Sequence, residues 1–222
     1  MEKQKGLAII TGASQGIGAV IAAGLAKDGY RVVLIARNRQ NLEKVHDEIM
    51  LSDKNVQEPI VLPLDITDCT KVDTEIKNIH QKYGTVDILV NAAAMFMDGS
   101  LSESVDNFRK IMEINVIAQY GILKTVTEIM KAQKDGYIFN IASRAAKYGF
   151  ADGGIYGSTK FAFLGLAESL SSHKKVTELL KERFPRTLEL VLWGMILNSI
   201  LGIIWGVVAS VYRGRWPDYM IS

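Results

Sequence analysis

Apolar runs of four to six residues alternate along the chain with longer segments in which apolar residues recur at helical spacing. "LAII" precedes a helix over Gly16 to Lys27 and "RVVLIA" one over Gln40 to Met50. "IVLPL" precedes one over Cys69 to Tyr83, "DILVN" one over Asp106 to Met130, and "YIFNIA" one over Tyr156 to Ser171. Such runs, each followed by a 3.6-period segment, predict strands buried on both faces with helices packed over them. Five strand and helix pairs with short connections predict an α/β fold, a doubly wound parallel sheet with right-handed crossovers. Ligands of such sheets lie outside the carboxyl ends of the strands, so the residues that close each run carry the most functional weight.

Composition narrows the picture only a little. The 222 residues are 48% hydrophobic and 23% charged, which suits one globular domain with one good core. Twenty-six basic and twenty-four acidic residues are spread along the chain, so no nucleic acid or acidic polymer is expected as a partner. Cys69 is the single cysteine and His46, His80 and His173 lie far apart, so no disulfide and no metal-ligand set is expected; a reducing, cytoplasmic setting is the simpler assumption. The five-residue apolar run from Leu7 to Thr11 is too short for a signal-peptide core, so the N-terminus reads as structural.

Chemistry first enters at "TGASQGIG", Thr11 to Gly18, between the first strand and the first helix. Gly12, Gly16 and Gly18, with Ser14 between them, would let backbone turn tightly and approach a pyrophosphate held at the helix N-terminus. That is the cofactor loop of a Rossmann-like fold. The second strand ends "LIARNR", where an NAD-preferring fold would place an acidic residue; Arg37 stands there instead, with Arg39 two further on and no nearby carboxylate expected to repel a phosphate. A guanidinium suits a 2′-phosphate, which favours NADP(H), and a solvated arginine at a helix start is the bland alternative. Tyr156 and Lys160 in "YGSTK" are one helical turn apart, which puts an ammonium beneath a phenol. A phenol ordinarily ionises near about 10, and a cation one turn away favours its ionised form, making it a usable acid or base near neutrality. Ser143 closes the fifth run and projects at the same edge. Met95, Phe96 and Met97 read either as the lining of a substrate opening or as core.

In order and spacing, "TGASQGIG", "DIT", "NAAA", Asn115, Ser143 and "YGSTK" resemble the short-chain dehydrogenase/reductase family over roughly residues 5 to 170. The resemblance implies that Tyr156 exchanges a proton with the substrate oxygen, that Lys160 also holds the nicotinamide ribose, and that Ser143 orients the carbonyl or hydroxyl. It implies that Asn115 holds a water linking Lys160 to solvent, that Asp65 bonds the adenine amino group, that Ile17 meets the cofactor through its backbone, and that Asn91 lies beside the ribose while stabilising the sheet. Ala93 departs from the glycine common in the family. The expected activity is NADP(H)-dependent reduction of a ketone or oxidation of a secondary alcohol of an apolar or lipid-like molecule, in a homodimer or homotetramer.

The chain divides at about residue 172 into this catalytic domain, 1–172, and an atypical segment, 173–222. The family continues into a sixth strand ending in Pro-Gly and a substrate loop, and no Pro-Gly occurs here. That departure supports a rival reading, a shortened nucleotide-binding or interaction protein without turnover. Leu190 to Tyr212 would form a helix of about 35 Å, enough for a hydrocarbon core of about 30 Å, with a small and polar stripe of Gly194, Asn198, Gly202, Gly206 and Ser210. A strand followed by a buried helix fits the same residues. By comparison with the membrane-bound reductases of sphingoid-base synthesis, the tail would tie the protein to the cytoplasmic side of a membrane such as the endoplasmic reticulum.

Overall fold

The computed structural model describes residues 5–53, 55–149 and 152–171. They fall almost wholly within one of two compact units, Met1–Ser169, the other being Leu170–Ser222. The apolar run 190–212 lies outside the described residues. Five strands, β1 (Gly6–Thr11), β2 (Tyr30–Ala36), β3 (Ile60–Pro63), β4 (Ile88–Asn91) and β5 (Tyr137–Asn140), form one parallel sheet in the order β3-β2-β1-β4-β5. Between them run α1 (Gly16–Lys27), α2 (Arg39–Ser52), α3 (Cys69–Tyr83), α4 (Val105–Met112) and α5 (Ala118–Gln133), and α6 (Gly154–Ser171) follows β5.

Strand alternation explains the two layers. Leu7 and Ile9 of β1 point into a core with Ile76 of α3, Ile122 and Val126 of α5 and Phe163 of α6. Ala8 and Ile10 point to the other face, into a core with Ala22 and Ala26 of α1 and Leu42 and Ile49 of α2. The central strands β1, β2 and β4 therefore read as continuously apolar because both faces are buried, whereas edge strand β5 leaves Tyr137 and Phe139 exposed. Across the α3–α5 layer the Thr125 hydroxyl donates to Asp73, 2.8 Å away.

Two local features differ from expectation. The helix expected over Asp106 to Met130 is interrupted by a π-helical stretch, Glu113–Ile117, between α4 and α5. A π turn inserts one extra residue into the helical circuit and recurs at functional sites, and Asn115 sits at its centre, buried. Helix ends also differ among themselves. Asn38, Asp68 and Ser104 cap α2, α3 and α4 with side-chain oxygens, whereas Gln15 gives α1 no side-chain cap. The first-turn N–H groups of α1 are left to another acceptor.

The two-sided burial gives a stability prediction. Leu89→Ala, at a position that is 0% exposed, should cost about 2–5 kcal/mol, whereas Leu101→Ala, on the fully exposed loop before α4, should stay within about 0.5 kcal/mol. Urea unfolding of both variants measures the difference.

Candidate active site

At the carboxyl edge of the sheet a cleft of about 620 Å³ opens between the loop after β1 and the loop after β4. Gly12, Ser14, Gly16, Ile17 and Gly18 form one wall, Arg37 and Asp65 the far end, and Ala92 to Met95 the opposite wall. Gly12 has φ +68°, and a Cβ on it would stand 2.7 Å from the Ala93 nitrogen. A Cβ on Gly18 would collide with the Gly12 carbonyl. The loop is therefore backbone packed on backbone, with the uncapped start of α1 behind it. These features fit a dinucleotide: main-chain N–H donors for phosphate and no side chain between them and the cleft.

The far end needs two corrections. Arg39 binds Glu43 on its own helix, at 3.4 Å, and does not line the cleft. Arg37 does line it, but the sequence reading that no carboxylate stands near is overturned by Asp65, brought beside it from the end of β3 by the parallel register. The Thr67 N–H and hydroxyl both donate to the Asp65 carboxylate, at 3.0 and 2.9 Å. The backbone N–H of Thr67 is the larger cause holding the Asp65 carboxyl below its usual range, and Arg37 adds to it.

Asn91 is buried at the end of β4 and donates to Asn140 of β5, 3.0 Å away, so its side chain spans the sheet and does not line the cleft. The wall after it is held from three sides. The Thr11 hydroxyl oxygen accepts from the N–H groups of Ala92 and Ala93, at 3.2 and 3.1 Å. Gln119 donates to the Ala93 carbonyl at 2.7 Å. Asn115 accepts from the Met95 N–H at 2.7 Å and donates to the Met95 carbonyl at 2.8 Å. Its second amide N–H goes to the Thr159 hydroxyl, 3.0 Å away. With both amide hydrogens so used, the relay water expected of Asn115 is left only spare acceptor capacity and main-chain groups. Sequence reasoning missed Thr11, Gln119 and Thr159, although the first and last stand inside the two motifs.

The chemical end lies at the start of α6. Lys160 is 6% exposed and donates to the Ile141 carbonyl at 3.3 Å, with its ammonium 5.7 Å from the centre of the Tyr156 ring. Among the described residues it has no carboxylate partner, and burial pushes its pKa below the ordinary lysine value. Tyr156 is half-buried, with the Phe96 ring edge-on at 4.9 Å. The Ser143 hydroxyl oxygen accepts from the Ala145 N–H at 3.2 Å, which turns the chain into a short 3₁₀ turn, Arg144–Ala146. Thr159 donates to the Tyr156 carbonyl at 2.8 Å, so Asn115 and Thr159 connect the cleft wall to the tyrosine's helix. Ile141, which accepts from Lys160, also lines the cleft, joining the two ends.

The family model for short chain dehydrogenases matches residues 6–179. The chain belongs to the short-chain dehydrogenase/reductase family. It is 34% identical over 172 residues to a 3-dehydrosphinganine reductase of Danio rerio and 35% to a 3-ketodihydrosphingosine reductase of Mus musculus, covering 75% of this chain and 51% of each relative. The chain thus spans about half the length of those curated relatives. A crystal structure of a betaketoacyl-ACP reductase (FabG) from Bacteroides thetaiotaomicron is 87% identical, with a TM-score of 0.68, over 76% of this chain and 69% of that one. A metagenomic short-chain oxidoreductase in complex with NADP superposes at a TM-score of 0.69 with 32% identity, over 79% and 76% of the two chains. An NAD⁺-bound xylitol dehydrogenase superposes at 0.71 with 28% identity, over 77% and 66%.

Lys160 generates a prediction with a defined sign. Its folded pKa is depressed, so burying the charged form destabilises the protein at every pH below that value. The penalty is relieved as pH rises from there towards the ordinary value of about 10.4. Lys160→Met should therefore melt at or above the wild-type temperature at pH 7, and its advantage should shrink in the alkaline range; melting curves at a series of pH values measure this.

Proposed function

We propose that the chain is an NADP(H)-dependent oxidoreductase that interconverts a ketone and a secondary alcohol on an apolar or lipid-like substrate. The observation that carries the reading is Lys160, a buried ammonium without a carboxylate partner among the described residues, set against the Tyr156 ring and sharing Ile141 with the glycine-walled cleft. A cation kept in so costly a place, with a tyrosine ring beside it, is assigned a role in the reaction. Tyr156 is assigned the proton exchanged with the substrate oxygen. Ser143, whose hydroxyl hydrogen is not used in its turn, is assigned the orientation of that oxygen. Lys160 has two further N–H donors for the ribose hydroxyls. Hydride transfer is the chemistry that a bound nicotinamide supplies.

NADP(H) is proposed over NAD(H) because Arg37 lines the cleft where an acidic residue would otherwise meet the ribose. The metagenomic relative was solved with NADP and the xylitol dehydrogenase with NAD⁺, so the fold serves either cofactor and the choice rests on Arg37. Reduction of a ketone is favoured by the sphinganine-type and betaketoacyl reductases among the relatives. A homodimer or homotetramer is proposed on the exposed Ile117 and Tyr120 around the start of α5 and Phe161 of α6. Association with a membrane rests on residues 190–212 alone; no helix among the described residues is long and apolar enough to cross one.

Fluorescence titration tests the cofactor half. NADPH should bind at least about tenfold more tightly than NADH, the value of a charged hydrogen bond, and Arg37→Ala should abolish the difference. Equal affinities would refute the phosphate role of Arg37, and failure to bind either cofactor would favour the non-catalytic reading. Tyr156→Phe should keep NADPH binding while lowering turnover by about 10²–10⁴-fold; unchanged turnover of a ketone panel would remove Tyr156 from the mechanism.

A further inference from the structure

The segment between Met95 and Gly99 bridges the two ends of the site. At one end, Met95 is bound through both its N–H and its carbonyl to Asn115. At the other, the Gly99 N–H donates to the Asp152 carbonyl, and the Ile155 N–H donates to the Gly99 carbonyl at 3.2 Å. Asp152 and Ile155 flank the start of α6, and Ile155 is the residue before Tyr156. The segment is therefore clasped to the cofactor wall on one side and to the tyrosine's helix on the other. Phe96 lies between the clasps, 60% exposed, with its ring 4.9 Å from that of Tyr156 at an interplanar angle of 64°.

Phe96 is one of several large apolar side chains left exposed among the described residues, and what sets it apart is the ring it touches. Its buried edge has a function in the contact with Tyr156. An edge-to-face pair has a preferred geometry, so it restricts the side-chain torsions of Tyr156 and with them the place to which the ring and its oxygen are carried. Its remaining face is apolar surface beside the reacting oxygen. We infer that Phe96 is a positioning residue for the Tyr156 phenol, and that its free face receives an apolar substituent next to the substrate's carbonyl carbon. This rests on the oxidoreductase reading above and adds to it the residue that orients the acid.

The experiment uses the full chain with Phe96→Ala and Phe96→Tyr, assayed on an apolar ketone with NADPH and examined by fluorine NMR after labelling with fluorotyrosine. The Tyr156 resonance is assigned by its loss in Tyr156→Phe. Phe96→Ala should lower kcat by between about twofold and tenfold, the worth of an aromatic pair, leave NADPH affinity unchanged and move the Tyr156 resonance by removing a ring current. Phe96→Tyr should restore both kcat and resonance. A Tyr156 resonance indifferent to Phe96→Ala overturns the contact, and an unchanged kcat overturns the positioning role. If the wild type turns over no ketone while the resonance still moves, the oxidoreductase reading falls and the ring contact stands.

Discussion

Thr11, Asn115 and Gln119 are each at most 2% exposed, come from β1, the π-helical stretch and α5, and direct their polar atoms at the backbone of Ala92 to Met95. Five hydrogen bonds fix four residues that belong to no strand or helix. A buried donor or acceptor left without its partner costs about 1–3 kcal/mol, so this loop cannot drift without several such losses at once. Its position sets the cleft wall against Gly12, which has no room for a side chain beside Ala93. It also sets Phe96 against Tyr156. The methyl of Ala93 packs against the hydrophobic core, and the bonds to Thr11 and Gln119 use only its main chain.

The sheet was legible because its physics is local. Apolar runs buried on both faces announce strands, and the limits of α1 and α3 fall at the residues where the periodicity begins and ends. The glycine loop and "YGSTK" were legible for a similar reason, since their spacing carries the geometry. What escaped notice depends on neighbours distant in sequence. Nothing in "MEINVIAQ" indicates that the helix widens at Glu113–Ile117, because the gain that offsets this distortion is the bonding of Asn115 to a loop 20 residues away. Gln119 reads as one more polar helix residue until α5 is laid against the sheet. Asp65 and Arg37 are 28 positions apart in sequence, and only the register of β2 and β3 makes them neighbours.

Local rules are broken in three places, and all three lie at the site. Helix α1 lacks the cap that α2, α3 and α4 possess. Helical geometry gives way to a π turn at Asn115. Lys160 is buried without an ion-pair partner among the described residues. Each taken alone is a modest destabilisation, and a sequence selected for stability alone would remove it by a serine, a regular helix and a methionine. Their convergence on one edge of one sheet is what a binding and reacting site requires: open donors for an anion, a helix bent to hold a loop, and a cation kept out of water.

Desolvation also separates the far end of the cleft from the start of α6, which meets the cleft through Ile141. At the far end, Arg37 and Asp65 are exposed, so their fields are screened by water. At the near end, Lys160 is enclosed by Ile141, Phe163 and the Tyr156 ring, where a charge acts over several ångströms with little screening. An ammonium 5.7 Å from a ring centre in water would be heavily screened; in a shielded position its field reaches the ring with far less loss. The apolar surroundings that lower the stability of the charged lysine are thus the same surroundings that leave its field little screened. For that reason the enclosure of Lys160, more than the Tyr-Lys spacing itself, distinguishes this turn of helix from the many surface turns with the same two residues.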